Sequence, residues 1–248
     1  MAKDTIKEAL RNKIIVAIFL VFLVILFIYK ITGIITVGVQ ERILTDLSSL
    51  TITLFVLVIS SILSVHLFRQ ELERGTLYFT LTYPVTKAQF IFGKIVGISI
   101  ISLMMIIFLY FELFVILYFS GGHNLLNLFY YIIVLWLKSI LIITLSLVFA
   151  IGASRVMSLS IISFIILTSH IKLTIVESIK EVIPSLYGII NLVYGYILPD
   201  FSSFSIDGGY KIDSGFFTHF LPIIFIYTFS LSYIYYVLSV FLFKRKDL

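Results

Sequence analysis

Six apolar runs, several of them long enough to cross a lipid bilayer, constrain this chain more than any other feature. A transmembrane α-helix needs about 20 predominantly apolar residues, and the runs lack the two-residue alternation of membrane β-strands. Composition agrees, since 60% of the 248 residues are hydrophobic and only 12% are charged. The sequence therefore predicts an all-α integral membrane protein, a single transmembrane domain over residues 1–248, with spans at 14–35, 50–68, 90–119, 128–151, 156–173 and 216–243.

Lysine and arginine are distributed unequally between the two sides of these spans. The side of the N-terminus holds twelve and the other side five: Lys3, Lys7, Arg11, Lys13, Arg69, Arg74, Lys87, Lys94, Arg155, Lys244, Arg245 and Lys246 against Lys30, Arg42, Lys172, Lys180 and Lys211. Because basic residues accumulate on the cytoplasmic side, both termini are predicted to be cytoplasmic. This asymmetry explains the pI of 9.2 without a nucleic-acid partner.

Two segments outside the spans have a recognisable pattern. Residues 2–13 place Ile6, Ala9 and Leu10 on one side, which predicts an amphipathic helix at the membrane surface; a solvated lead-in is the alternative. Residues 174–215 form the largest extracytoplasmic segment. Its helical spacing and tyrosines predict a short helix and interfacial or re-entrant chain, a candidate site for an extracytoplasmic partner.

The polar segment 69–90, between spans two and three, has the features of a shaped platform. It starts with the good helix formers of "RQELE", and Gly75 is a plausible helix end. Pro84 breaks any helix that runs through it. Thr86, followed three residues later by Gln89, forms a capping box ahead of span three. The pattern favours a docking surface, and a well-formed loop without a partner is the alternative.

The same segment carries a resemblance to a known family. "ELERGTL" at 71–77 followed by "YPVTKAQFIFGKIVG" at 83–97 resembles the cytoplasmic loop of ABC-2-type transporter permeases. "GYILPDFSSFSI" at 195–206 is similar to the family's Leu-Pro-Asn-Phe segment, with Asp200 in place of the usual Asn, and "FKRKDL" to its basic tail. The subgroup most similar is that of multicopper-enzyme maturation permeases, of the nitrous oxide reductase maturation type.

The resemblance implies a membrane subunit that works with a separate ABC ATPase in the cytoplasmic membrane of a prokaryote. Two permease copies, expected as a homodimer, would pair with two ATPases, which bind ATP and magnesium. A coupling helix between spans two and three would dock on the ATPase. Carried over to this sequence, the docking residues are Gln70, Glu71, Glu73, Arg74, Gly75, Pro84 and Thr86.

The sequence contains no motif for catalysis or cofactor binding. Its Gly93-Lys94 pair is followed by Ile95 and lacks the earlier glycine of a Walker A loop. The four histidines are scattered and the chain has no cysteine, so neither a His-Glu-x-x-His zinc motif nor a thiolate site is present. We therefore expect no enzyme activity, cofactor or metal in this chain itself.

Two charged residues within the spans and one glycine pair are further candidates. Glu112 and Lys138 are predicted to face each other or a shared wet cavity; the alternatives are a substrate path and a snorkelling Lys138. Gly93 and Gly97 form a small-xxx-small pattern, which serves packing within the chain or between two copies.

The most consistent hypothesis is a permease subunit that couples ATP hydrolysis by a partner to export of a substrate. An ATP-independent secondary carrier is one alternative, although carriers usually show internal repeats and broken helices. A membrane anchor for a peripheral complex is the other, and it needs a docking loop but no wet pathway.

Overall fold

The computed structural model describes residues 5–6, 20, 24, 40–73, 86–119, 127–170, 188, 198–201, 204 and 220–245. These residues contain no strand, and their helices are α1 Gln40–Glu73, α2 Lys87–Phe119, α3 Asn127–Gly152, α4 Arg155–His170 and α5 Leu221–Arg245. In a bilayer every backbone N–H and C=O must be bonded within the protein, and a helix achieves this within its own segment. The apolar runs among the described residues therefore fold as helices.

Among the described residues, four helices contain a stretch long and apolar enough to cross a membrane: Leu47–Glu73, Lys87–Val115, Phe129–Gly152 and Leu221–Arg245. The apolar helix α4 has 16 residues, so at 1.5 Å per residue it covers only about 24 Å of a hydrocarbon core of roughly 30 Å. These helices are those of a multi-pass membrane protein. The expected first span, 14–35, lies outside the described residues apart from Leu20 and Val24.

The helix bounds differ from the expected spans mainly in α1. Helices α2 and α3 start and end within three residues of 90–119 and 128–151, whereas α1 begins ten residues before position 50 and continues to Glu73. The C-terminal part of this extension has a simple cause. The helix continues past position 68 because the residues that follow, such as Gln70 and Glu71, are good helix formers.

Helix α3 occupies the centre of the bundle, with α4, α1, α2 and α5 around it in that order. Leu137, Ile142 and Leu147 point to different sides of α3, and all three are fully buried. A helix that is apolar on every side is stable only when neighbours cover it. From the expected N-terminal helix, Thr5 is buried and Ile6 packs against this core.

The turn between α3 and α4 fixes where α4 begins. Ser154 accepts a hydrogen bond from the Met157 N–H at 3.4 Å, as an N-cap residue does. Ser158 donates to the Phe149 carbonyl at 3.0 Å and so ties the two helices together. Arg155 is therefore the first residue of α4.

One end of the bundle concentrates the charged residues. Helices α1, α3 and α5 end there and α2 and α4 begin there, and we call it the basic end. Its described side chains include six cations and two carboxylates: Arg69, Lys87, Lys94, Arg155, Lys244 and Arg245 with Glu71 and Glu73. This excess of cations is the feature on which the expected cytoplasmic orientation of the termini depends.

Candidate functional site

Three fully buried aromatic side chains hold the helix ends together at the basic end. The ring of Phe68 in α1 lies 6.3 Å from that of Phe90 in α2 and 5.8 Å from that of Phe243 in α5. Phe90 and Phe243 stack with their centroids 6.0 Å apart. Such pairs add stability beyond the burial of their area, so three helices share one aromatic junction at this end of the bundle.

The start of α2 is fixed by the capping box expected from the sequence. The Thr86 N–H donates to Oε1 of Gln89 at 3.0 Å, and the Gln89 N–H donates to Oγ1 of Thr86 at 3.2 Å. These reciprocal bonds satisfy two backbone donors that a helix N-terminus leaves without partners. Segment 74–85 therefore leads into a helix whose first turn is well defined.

A largely buried ion pair joins the end of α1 to α2. Nζ of Lys94 lies 2.6 Å from Oε1 of Glu71, and the two side chains are 4% and 22% exposed. Lys94 is two turns into α2, where a lone cation in an apolar run is costly. The Glu71 carboxylate compensates that cost, and the pair fixes α1 against α2.

A second ion pair joins the end of α1 to α4. Nη2 of Arg155 lies 2.6 Å from Oε2 of Glu73, with side-chain exposures of 36% and 52%. The other guanidinium nitrogen, Nη1, is 3.5 Å from Nδ1 of His66. Because Arg155 is at the first position of α4, this contact joins the start of α4 to the end of α1.

The expected docking residues thus fall into four groups. Glu71 and Glu73 form ion pairs within the chain, and Thr86 caps α2. Gln70 is half-buried at the end of α1. The other three, Arg74, Gly75 and Pro84, lie outside the described residues, as does the coupling helix expected between them.

Glu112 and Lys138 are not brought together. Ser102 of α2 and Ser139 of α3 are 3.0 Å apart at their hydroxyl oxygens, which sets the two helices in register. Glu112 follows Ser102 by ten residues, or about 15 Å along the axis, whereas Lys138 adjoins Ser139. No ion pair joins them, and one carboxylate oxygen of Glu112 is buried without a hydrogen-bond partner.

Lys138 instead lies beside the Leu-Pro-Asp-Phe motif. Its Nζ is 5.7 Å from the centroid of the buried Phe201 ring, a cation–π contact. The Asp200 N–H donates to the Tyr227 hydroxyl at 2.8 Å, which fixes the motif against α5. These residues of segment 174–215 therefore pack into the bundle, and the motif has a structural role at Lys138.

Close packing of α2 against α3 depends on more than the glycine pattern. Gly97 is buried and Gly93 is half-buried in α2. Trp136 Nε1 donates to the Ser99 carbonyl at 3.1 Å, beside the contact between Ser102 and Ser139. Small and hydroxyl-bearing residues let membrane helices approach closely. The signal for this contact was the serine spacing in α2, which sequence reasoning overlooked.

Within the described ranges, no group of three His, Asp or Glu side chains comes close enough to hold a metal ion. Comparison of the sequence with protein-family models finds no match, and comparison with curated proteins finds none. The main feature of the basic end is therefore a polar segment flanked by helix ends that are fixed to one another.

Proposed function

We propose that this chain is the membrane-spanning subunit of an ABC exporter of the ABC-2 type. A separate ATPase binds ATP and magnesium, and its movement drives substrate across the cytoplasmic membrane through two copies of this chain. The observation that carries the proposal is the bracing of α1. Its last turns form ion pairs with α2 and α4, directly beside the segment that connects α1 to α2.

This bracing supports a coupling role because it spreads a local force over three helices. A partner that pushes on residues 74–85 would displace the end of α1 and the start of α2. The pair between Glu73 and Arg155 would carry the displacement to α4. Rigid elements joined by specific contacts are the usual means of transmitting such movements.

The proposal gives the two carboxylates of α1 a different role from the residues that contact the ATPase. Glu71 and Glu73 transmit the movement within the chain, because one oxygen of Glu71 already bonds to Lys94 and one of Glu73 to Arg155. Direct contact with the ATPase is then made by the residues between them and Thr86, together with Gln70. In this arrangement the two carboxylates transmit movement within the chain, whereas in a simple docking surface they would contact the ATPase directly.

A crosslinking experiment in native membranes tests the partner. A photo-crosslinker at Gln70 should capture an ATPase subunit, identified by mass spectrometry. The matched control is the same crosslinker at Phe129, an exposed residue near the opposite end of the bundle, which should capture none. Absence of an ATPase from the Gln70 sample, with the protein folded and the crosslinker reactive, would favour a secondary carrier or an anchor.

A charge swap tests whether the ion pair between Glu73 and Arg155 transmits the movement. Glu73→Arg places two cations side by side and removes the ion pair. ATP hydrolysis by the captured complex should then no longer drive transport through this chain, while capture at Gln70 persists. The double variant Glu73→Arg with Arg155→Glu restores an ion pair and should restore the coupled activity. If Glu73 instead contacts the ATPase directly, the single variant loses capture and the second substitution restores nothing.

A further inference from the structure

A groove opens between α2, α3 and α5 on the basic-end half of the bundle. Its volume is about 500 Å³, and the described residues that line it are predominantly apolar. It runs along α2 from Ala88 to Ile95, a length of about 10 Å. Gly93 leaves room in its wall, because it has no side chain to fill the space between α2 and α5.

The groove opens sideways, toward the surface that a bilayer would cover. Phe92 and Tyr233 line it and are 57% and 67% exposed. Tyr236 closes the basic-end side by donating to the Ala88 carbonyl at 3.2 Å. Aromatic side chains around an apolar groove at this depth suit hydrocarbon rather than water.

Positive charge lies beyond the groove on the same helix. Lys244 follows Tyr233 by eleven residues, which on an α-helix is three turns on the same side and about 16 Å. That length matches half of a hydrocarbon core of roughly 30 Å. Arg245 is next to it, and both side chains are exposed. A molecule with its tail in the groove would thus present its head at these two cations.

We propose that the groove is a binding site for an anionic phospholipid of the leaflet at the basic end. One acyl chain occupies the space beside Gly93, and the phosphate lies at Lys244 and Arg245. Apolar lining, lateral opening and charge at one leaflet depth together favour this occupant. The proposal does not depend on the ATPase, so the two can fail separately.

Trp136 provides a specific probe, because it is the only tryptophan in the chain. It precedes Ile140 of the groove by one turn of α3, and its indole reaches α2 one turn beyond Ile95. The full chain would be reconstituted in vesicles containing either phosphatidylglycerol or phosphatidylcholine brominated toward the end of the acyl chain. Bromine quenches indole fluorescence only at short range, so quenching reports occupancy beside Trp136.

The expected result is saturable quenching, with a preference of roughly five-fold for phosphatidylglycerol over phosphatidylcholine. Gly93→Leu should abolish the saturable component. Met104→Leu, at an exposed position of α2 outside the groove, should leave it unchanged. Quenching that rises linearly with either brominated lipid, without preference, would mean contact with bulk lipid only and would overturn the proposal.

Two further variants keep the test decisive if Gly93→Leu fails to fold. Lys244→Gln with Arg245→Gln changes only exposed side chains and should remove the preference while leaving the fold intact; an unchanged preference contradicts the headgroup assignment. Ser232 lies in the groove with a hydroxyl that lacks a partner. An acyl chain offers it none, so Ser232→Ala should have no effect. Binding roughly two- to ten-fold weaker would indicate a ligand with a polar tail instead.

Discussion

At the basic end, two carboxylates of α1 each lie 2.6 Å from a cation of another helix. Within the bundle, Glu112 of α2 and Lys138 of α3 are separated by about 15 Å along the axis. Both regions contain charges that a membrane protein must accommodate. At the basic end it does so by pairing across helices, and at Lys138 an aromatic ring of a packed motif is among the contacts.

The difference shows which charged contacts fix the relative position of two helices. A pair across two helices fixes their relative position, because both partners lose their compensation when the helices move apart. A cation over a ring tolerates small displacements, since the attraction to the ring face is broad. We therefore expect coupled movement at the basic end and local packing effects around Lys138.

The largest effect is expected from reversing the charge at Lys138. Lys138→Glu places a carboxylate against the face of Phe201, which repels it, at a site that is 2% exposed. We expect a loss of roughly 3 kcal/mol or more in the free energy of unfolding. Thermal unfolding in detergent, followed by size-exclusion chromatography, measures it. Lys138→Met, which keeps the length of the side chain without charge, should be much milder.

The same measurement distinguishes pairing from separation. Adding Glu112→Lys to Lys138→Glu should not rescue the protein, because the two positions are at different depths. A rescue would show that the two charges meet in the membrane, as the sequence suggested, and would break the comparison between the two regions.

A smaller but still large effect is expected at the buried pair of the basic end. Lys94→Met leaves Glu71 partly buried without its cation, and we expect a loss of about 3 kcal/mol, the low end for buried pairs because Glu71 retains some exposure. Replacing both partners, as Lys94→Met with Glu71→Leu, should recover most of that loss, since an apolar pair of similar size needs no compensation. If the single variant unfolds at the temperature of the unchanged protein, the pair does not hold α1 to α2.

Much of this architecture follows from the sequence alone. The bounds of α2 and α3 follow from apolar runs with clear ends, and the capping box follows from Thr86 and Gln89 because its geometry is local. The basic end follows from the lysine and arginine distribution once alternate helices run antiparallel. Each of these depends on residues close together in the chain or on a rule of the bilayer.

The rest depends on contacts between distant segments. The depth of Lys138 relative to Glu112 is set by Ser102 against Ser139, and no local pattern fixes that register. The partner of Glu71 is 23 positions away in the next helix. One signal was available: a lysine inside an apolar run needs a carboxylate nearby. Glu71 and Glu73 were the carboxylates within reach, although the sequence suggested an external role for both.

The smallest effect is expected at the exposed pair between Glu73 and Arg155. Its Coulomb attraction is weakened by water, so Glu73→Gln and Arg155→Gln should each change the free energy of unfolding by less than about 1 kcal/mol. A double-mutant cycle should give a coupling energy of about 0.5 kcal/mol that falls as salt is added. Together with the Lys94 result, this would make the α1–α2 contact a fixed joint and the α1–α4 contact a weaker link that passes only part of a displacement to α4. A coupling as large and as salt-insensitive as that of a buried pair would instead join α1, α2 and α4 into one rigid unit, and a partner could then move only all three together.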